Sequence, residues 1–278
     1  VEISPEPGSG LVAAHRLETL APSAGHLVHM PAHIYLRTGE YLDAARVNEA
    51  AASADEHVHA MGEKSEYLPY YHGHNLHFLT VSYAFAGVSA KALAAAGRLI
   101  ATALPDIKAQ PGIIDYYCSN AVQVYVFFDH WAEVLELQEP PAEAPSCRAF
   151  FHFSRSLAFG GTGRPEQAQD ERAVFAAAVG AMGPKDSYGL NPAADVMAVA
   201  LPYLDGRLAL MANDPAGAAA KFRQAAAAEE KLAYDEPPDW YLASNWMLGT
   251  ALLKLGDAVA AEAAFRADLR RNVAHGRS

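Results

Sequence analysis

Eight of the twelve histidines in this chain lie between His26 and His77, and they fall at the spacing of a helix face. His26, His29 and His33 in AGHLVHMPAHIYLR stand at i,i+3 and i,i+4. His74 and His77 in YYHGHNLHFL repeat the i,i+3 step. Imidazoles gathered in this way suit a transition-metal site or a proton-handling pocket. The plainer alternative is a set of separately hydrogen-bonded rings lining a wet groove.

A straight helix cannot bring all three of the first group to one ion, because His26 and His33 stand about 10 Å apart along its axis. Pro31 lies between them and removes a backbone donor, so a kink or a helix start there would re-aim the pair. The expected ligands are therefore a subset of His26, His29, His33, His74 and His77, drawn from two neighbouring helices as in bundle metal sites. Asp55, which the pattern puts at a helix end, is either an oxygen ligand or orienting partner, or simply a solvated carboxylate. His57, His59 and His72 are expected as exposed loop imidazoles.

Such a site needs a scaffold. Alanine-rich segments with apolar residues three and four apart recur along all 278 residues, and alternating β-branched runs are nearly absent, which predicts an all-α chain. One short punctuation recurs from Thr38, Ala86, Phe128, Thr162, Asn213 and Leu255. Each copy has a turn, then a small residue for close helix approach, then a further apolar residue on the same face. Gly39, Gly163 and Gly256 supply turns, Ala44, Ala168 and Ala261 the close contacts, and Phe222 and Phe265 the next layer.

These are the parts of a tetratricopeptide hairpin, at longer and less regular spacing than the ~34 residues of the standard repeat. The expected architecture is a right-handed α-solenoid of about six helical hairpins over residues 1–278, with a histidine-rich half at 21–104 and C-terminal repeats at 146–278. Proline-rich breaks at 138–146, 181–192 and 234–241 are expected as extra loops. The last, YDEPPDWY, is either a connector whose Trp240 plugs a groove or a substrate-facing lip carrying Glu236, Trp240 and Tyr241.

Composition removes several functions. With 32 acidic against 21 basic residues, the formal charge of −11 argues against nucleic acid or an anionic membrane as partner. Two cysteines, Cys118 and Cys147, make neither a disulfide framework nor a thiolate metal site, so any metal would be held by nitrogen and oxygen. No apolar run has the length of a membrane span, and VEISPEPGSG has no signal-peptide character, so the chain is expected to be cytoplasmic.

The strings GHLVHMPAHIYLRTGEYLDAARVNEAAASAD, YYHGHNLHFL and AYDEPPDWY resemble a bacterial family of tetratricopeptide-repeat proteins, mostly of unassigned function, with HMPxHIY, YYxHNxHFL and YDEPPxW motifs. The resemblance covers nearly the whole chain. It maps the family pattern onto His26, His29, Met30, Pro31, His33 and Tyr35, onto His74, Asn75, His77 and Phe78, onto His152 and Arg155, and onto Glu236, Pro237, Pro238 and Trp240. It also implies an upstream helix with another histidine pair, so that part of the site would precede Val1. Where the family has a Pro and an Arg after the Trp, this chain has Ala243 and Asn245, and no role for that Arg carries over.

His152 and Arg155 share a helix face. They could serve as acid–base group and carboxylate clamp, or Arg155 could pair with Asp170 or Glu171 across a hairpin. Two functions follow from different classes. One is a metal-dependent oxidoreductase, with iron or copper favoured and zinc possible, acting on a small molecule in a concave groove. The other is a peptide-binding repeat module whose histidines merely line that groove. The lack of a Lys/Arg ladder for peptide carboxylates favours the metal.

Overall fold

The computed structural model describes residues 2–62 and 67–278, with 67–69 described for their backbone alone. The described residues are helical apart from one short hairpin. After a 3-10 turn at Pro7–Gly10, the chain forms α1 (Leu11–Leu17), α2 (Gly25–His29), α3 (Pro31–Thr38), α4 (Tyr41–Ala60), α5 (Tyr67–Phe85) and α6 (Ser89–Ala103). A second 3-10 turn leads to α7 (Pro111–Phe127), α8 (Trp131–Glu136), α9 (Pro145–Gly161) and α10 (Pro165–Ala181). The antiparallel strands β1 (Ser187–Tyr188) and β2 (Asn191–Pro192) precede α11 (Ala193–Met211), α12 (Pro215–Glu229), α13 (Ser244–Lys254) and α14 (Ala258–Arg271).

The six punctuation sites share one backbone device. Each carries a residue at positive φ just past a helix: Gly39 (83°), Gly87 (74°), Asp129 (57°), Gly163 (76°), Asn213 (59°) and Gly256 (78°). The next residue then donates its N–H back to the carbonyl five positions earlier, as in Glu40 to Tyr35 (2.9 Å), Val88 to Tyr83 (3.0 Å) and Asp257 to Leu252 (3.0 Å). That is the left-handed C-terminal cap, which satisfies carbonyls the helix leaves open. Glycine adopts it at no steric cost, and Asp and Asn tolerate it best among the other residues. At Gly39 the space is also tight: a Cβ would stand 2.9 Å from both Ala274 Cβ and Val273 O.

Proline opens α3, α7, α9, α10 and α12, where its missing N–H costs nothing. The prolines of the three predicted breaks fall in the connections after α8, α10 and α12, except Pro145, which opens α9. The β1–β2 hairpin within the second break was not foreseen.

The chain divides into two compact units, residues 1–124 with 272–276 and residues 125–271 with 277–278. Residues 21–104 lie in the first unit and 146–271 in the second, while 272–276, also part of the second sequence half, belong to the first. In the first unit α4 packs against α2, α3 and α5, and α5 against α6. Glu18 ties the end of α1 to this layer, accepting from Tyr35 Oη and from both terminal nitrogens of Arg46 (3.0 Å each).

In the second unit α9 packs on α10, α11 on α12, α12 on α13 and α13 on α14. Small residues face large ones there. A Cβ on Gly206 would lie 2.7 Å from Phe222, and one on Gly249 would lie 2.4 Å from Phe265. Trp240 packs against Phe150, Phe153 and Tyr203, with ring centroids 6.3, 6.1 and 5.1 Å away. Cys118 and Cys147 are buried and unbridged. No helix among the described residues is long and apolar enough to cross a membrane.

Ala44, Ala168 and Ala261 are fully buried at the start of the second helix of their pairs. Replacing Ala261 with Leu is expected to cost on the order of 1–3 kcal/mol through overpacking. Chemical denaturation of the variant checks this, and a neutral result would mean that the contact is not close.

Candidate metal centre

Pro31 starts a new helix, and the backbone at Met30 stays helical (φ −51°, ψ −34°), so α2 and α3 meet with His29 and His33 on a common side. Their Nε2 atoms stand 2.9 Å apart. His74 on α5 completes a group in which one ligand nitrogen from each of His29, His33 and His74 lies within 4.8 Å of the others. His29 is buried, and His33 and His74 are partly so. The Phe78 ring packs against all three imidazoles, with centroids 4.5, 4.6 and 4.9 Å away.

The far sides of these rings are also engaged. His29 Nδ1 is 2.7 Å from Asn48 Oδ1 on α4. His33 Nδ1 is 3.1 Å from Glu2 Oε2. Imidazoles that bind metals ordinarily have this kind of backing, a carbonyl or carboxylate oxygen on the nitrogen turned away from the ion.

His26 sits beside the trio, with its ring 5.6 Å from that of His29 and 6.5 Å from that of His74, and packs on Tyr71 at 4.3 Å. It is not part of the convergent group. Neither is His77, which is fully buried and turned toward Tyr116 and Tyr117 of α7, 5.3 and 5.8 Å away. Two of the five histidines named from sequence are thus set apart by the three-dimensional arrangement.

Asp55 also stands elsewhere. Helix α4 runs on to Ala60, so Asp55 is an interior, buried residue: it is not the solvated helix end of one sequence reading, and it lies outside the convergent histidine group that the other would have had it join. Its Oδ2 accepts from Asn75 Nδ2 (2.7 Å) and lies 3.7 Å from His72 Nδ1. Its Oδ1 occupies the space a Cβ on Gly25 would need, 1.9 Å away, which explains the glycine that opens α2. Asp55 therefore holds α2 and α5 to α4. His57 and His59 are exposed, but on α4 and not in a loop, and His72 is a buried residue of α5.

In the second unit, Glu171 on α10 joins the two α9 candidates. His152 Nδ1 is 2.6 Å from Glu171 Oε2, and Arg155 Nε donates to Oε1 at 2.7 Å. The guanidinium of Arg155 also lies over Phe151 and Phe159. Of the two readings from sequence, the cross-hairpin pair is the one formed. Glu236, Trp240 and Tyr241 are all buried, and Trp240 fills the core of its unit in the manner of a plug.

Sequence reasoning did not single out Asn48, Glu2 or the role of Phe78. Phe78 stands four positions after His74, so helical spacing could have found it; nothing local marks the other two.

Burial sets the electrostatics. It holds His29 and His74 well below the ordinary imidazole range, and neighbouring imidazoles push them further. His77 is pushed down by burial to about 3, a shift that nearby Asn120 partly offsets. His26 is lowered by burial and by His33, against a raising contribution from Asp55. These rings are neutral at pH 7, the form a metal requires.

Set against models of known families the chain matches none, and no curated protein matches it significantly.

A pH dependence follows. An unfolded imidazole takes up a proton below about pH 6.5, whereas these folded ones refuse it, so their contribution is complete above that pH and is lost as pH falls. The slope is about 1.4 kcal/mol per pH unit for each ring. Urea unfolding with chelator present, between pH 7 and 4.5, should show stability level down to about pH 6.5 and falling below it. The slope should be shallower in a His77→Gln variant, and identical slopes would contradict the burial argument.

Proposed function

We propose that this chain is a tetratricopeptide-like helical-repeat protein that binds one divalent transition metal through His29, His33 and His74. The observation that carries the reading is the convergence of one nitrogen from each ring within 4.8 Å, in a partly buried setting. A first-row metal takes imidazole nitrogen at about 2.0–2.2 Å, so small rotamer adjustments bring three such atoms to one ion. His26 is near enough to be a reserve ligand.

The repeat assignment is supported by the six left-handed caps and by the matched trios Gly206, Ala218, Phe222 and Gly249, Ala261, Phe265, at identical offsets (206+12, 218+4; 249+12, 261+4). A right-handed solenoid of about six hairpins is the arrangement such pairs build when stacked.

Nitrogen ligands without thiolate suit iron, copper or zinc. A set of three leaves coordination positions open to oxygen or to a small molecule, and the activity we favour is an iron- or copper-dependent oxidoreductase. Phe78 would shield the rings on one side from water, and the protein groups behind the ligands, Asn48 and Glu2, would keep the rings aimed. Acid–base work by His152 is not needed for this reading, since Glu171 already engages that residue and Arg155.

Elemental analysis of protein purified without a histidine tag tests the proposal. Wild type should carry close to one equivalent of metal, and a His33→Ala/His74→Ala variant should keep its helical circular dichroism and lose that metal. Wild-type protein with no metal above background, even after incubation with Fe(II), Cu(II) and Zn(II), would leave the peptide-binding module as the better reading.

A further inference from the structure

We infer that Asn48 is the positioning residue of this centre, the group that decides which nitrogen of His29 faces the metal. The inference rests on the metal-binding reading above. Asn48 lies in the middle of α4 and is fully buried. Its Nδ2 donates to the Ala44 carbonyl at 2.7 Å, which fixes the amide orientation and leaves Oδ1 toward His29 Nδ1, also at 2.7 Å. An amide oxygen only accepts, so Nδ1 must carry the proton. The lone pair of the neutral ring is then on Nε2, the atom 2.9 Å from His33 Nε2.

A second, independent observation separates this residue from ordinary core packing. Two later helical pairs place a small residue, then a buried Ala twelve positions on, then a Phe four positions beyond: Gly206, Ala218, Phe222 and Gly249, Ala261, Phe265; the pairs built on Ala92 and Ala168 have Ala96 and Arg172 at that last position. The first pair has Ala32, Ala44 and Asn48 at the same offsets (32+12, 44+4), with all three fully buried. Elsewhere in the chain this position is filled by Ala96, Arg172, Phe222 or Phe265, so packing does not itself call for a buried amide. A buried amide is costly unless bonded, and this one gives one end to its own helix and the other to a candidate ligand. Nineteen positions before Asn48 stands His29, whereas nineteen before Phe222 and Phe265 stand Tyr203 and Trp246.

The 278-residue chain is titrated with Cu(II) and Zn(II) as wild type, Asn48→Leu and Asn48→Asp. Asn48→Leu should lower affinity about 10- to 100-fold while leaving the metal-free thermal midpoint unchanged or higher. Asn48→Asp retains an acceptor oxygen and should keep wild-type affinity or exceed it. Pulsed EPR of the Cu(II)-loaded protein reads the remote nitrogen of a bound imidazole, and its signal should change for one ring in Asn48→Leu alone. Asn48→Ala serves the same comparison should leucine not be accommodated. Wild-type affinity together with an unaltered remote-nitrogen signal in the Leu or Ala variant overturns the role of Asn48 and leaves the metal centre standing. A wild type that binds neither ion overturns the metal reading itself, and this inference with it.

Discussion

Three imidazoles whose nitrogens lie within 4.8 Å of one another, packed against a phenyl ring, cannot all be protonated to imidazolium. Charging them together would set like charges side by side where water is too scarce to screen them. The first unit is arranged to live with this constraint. Asn48 occupies the far nitrogen of His29, a carboxylate faces that of His33, and burial keeps His29 and His74 neutral. Helix α4 is the common support, since it carries both Asn48 and Asp55 and packs on α2, α3 and α5, the helices that bear the three rings.

Much of the fold was written in short local signals. Gly39, Gly163 and Gly256 are turn residues because a left-handed cap all but demands glycine, and proline at a helix start needs no tertiary context to be recognised. The ends of helices that lack such marks were harder to place. Asp55 looked like a helix terminus because the alanine run stops there, yet α4 continues to Ala60 through residues of which none is buried, so neither composition nor burial marks its end. The β1–β2 hairpin was hidden for a similar reason. Its four residues have no strand pattern of their own and are fixed by Asn191, whose side chain bonds Asp239 and the Ala233 backbone, 48 and 42 positions away.

Periodicity named the helices that bring His29, His33 and His74 together but could not rank the rings on them. His74 and His77 are three residues apart and so differ by about 60° around the axis. That angle is enough to send one ring to the His29–His33 pair and the other to Tyr116 and Tyr117 of a different helix. Which neighbour each would meet depended on where α7 packs. His152 and Arg155 illustrate the converse. Their helical spacing was read correctly, but Glu171 on the facing helix takes an atom of each, and a pairing partner is a tertiary fact.

The two units solve the same packing problem with different side chains. The second fills its layers with Phe153, Phe175, Phe222, Tyr203 and Trp240, all buried and in edge or tilted ring contact. The first buries His29, Asn48, Asn75, His77, Thr80, Asn120 and Gln123 at comparable depth. Each such group surrenders solvation that an aromatic ring would not have to give up, so a core chosen for stability alone would not collect them. Stability is commonly sacrificed where function needs a polar interior. Asn48 shows this most plainly, because the matching positions of other helical pairs hold Ala96, Arg172, Phe222 and Phe265, none of which supplies an amide.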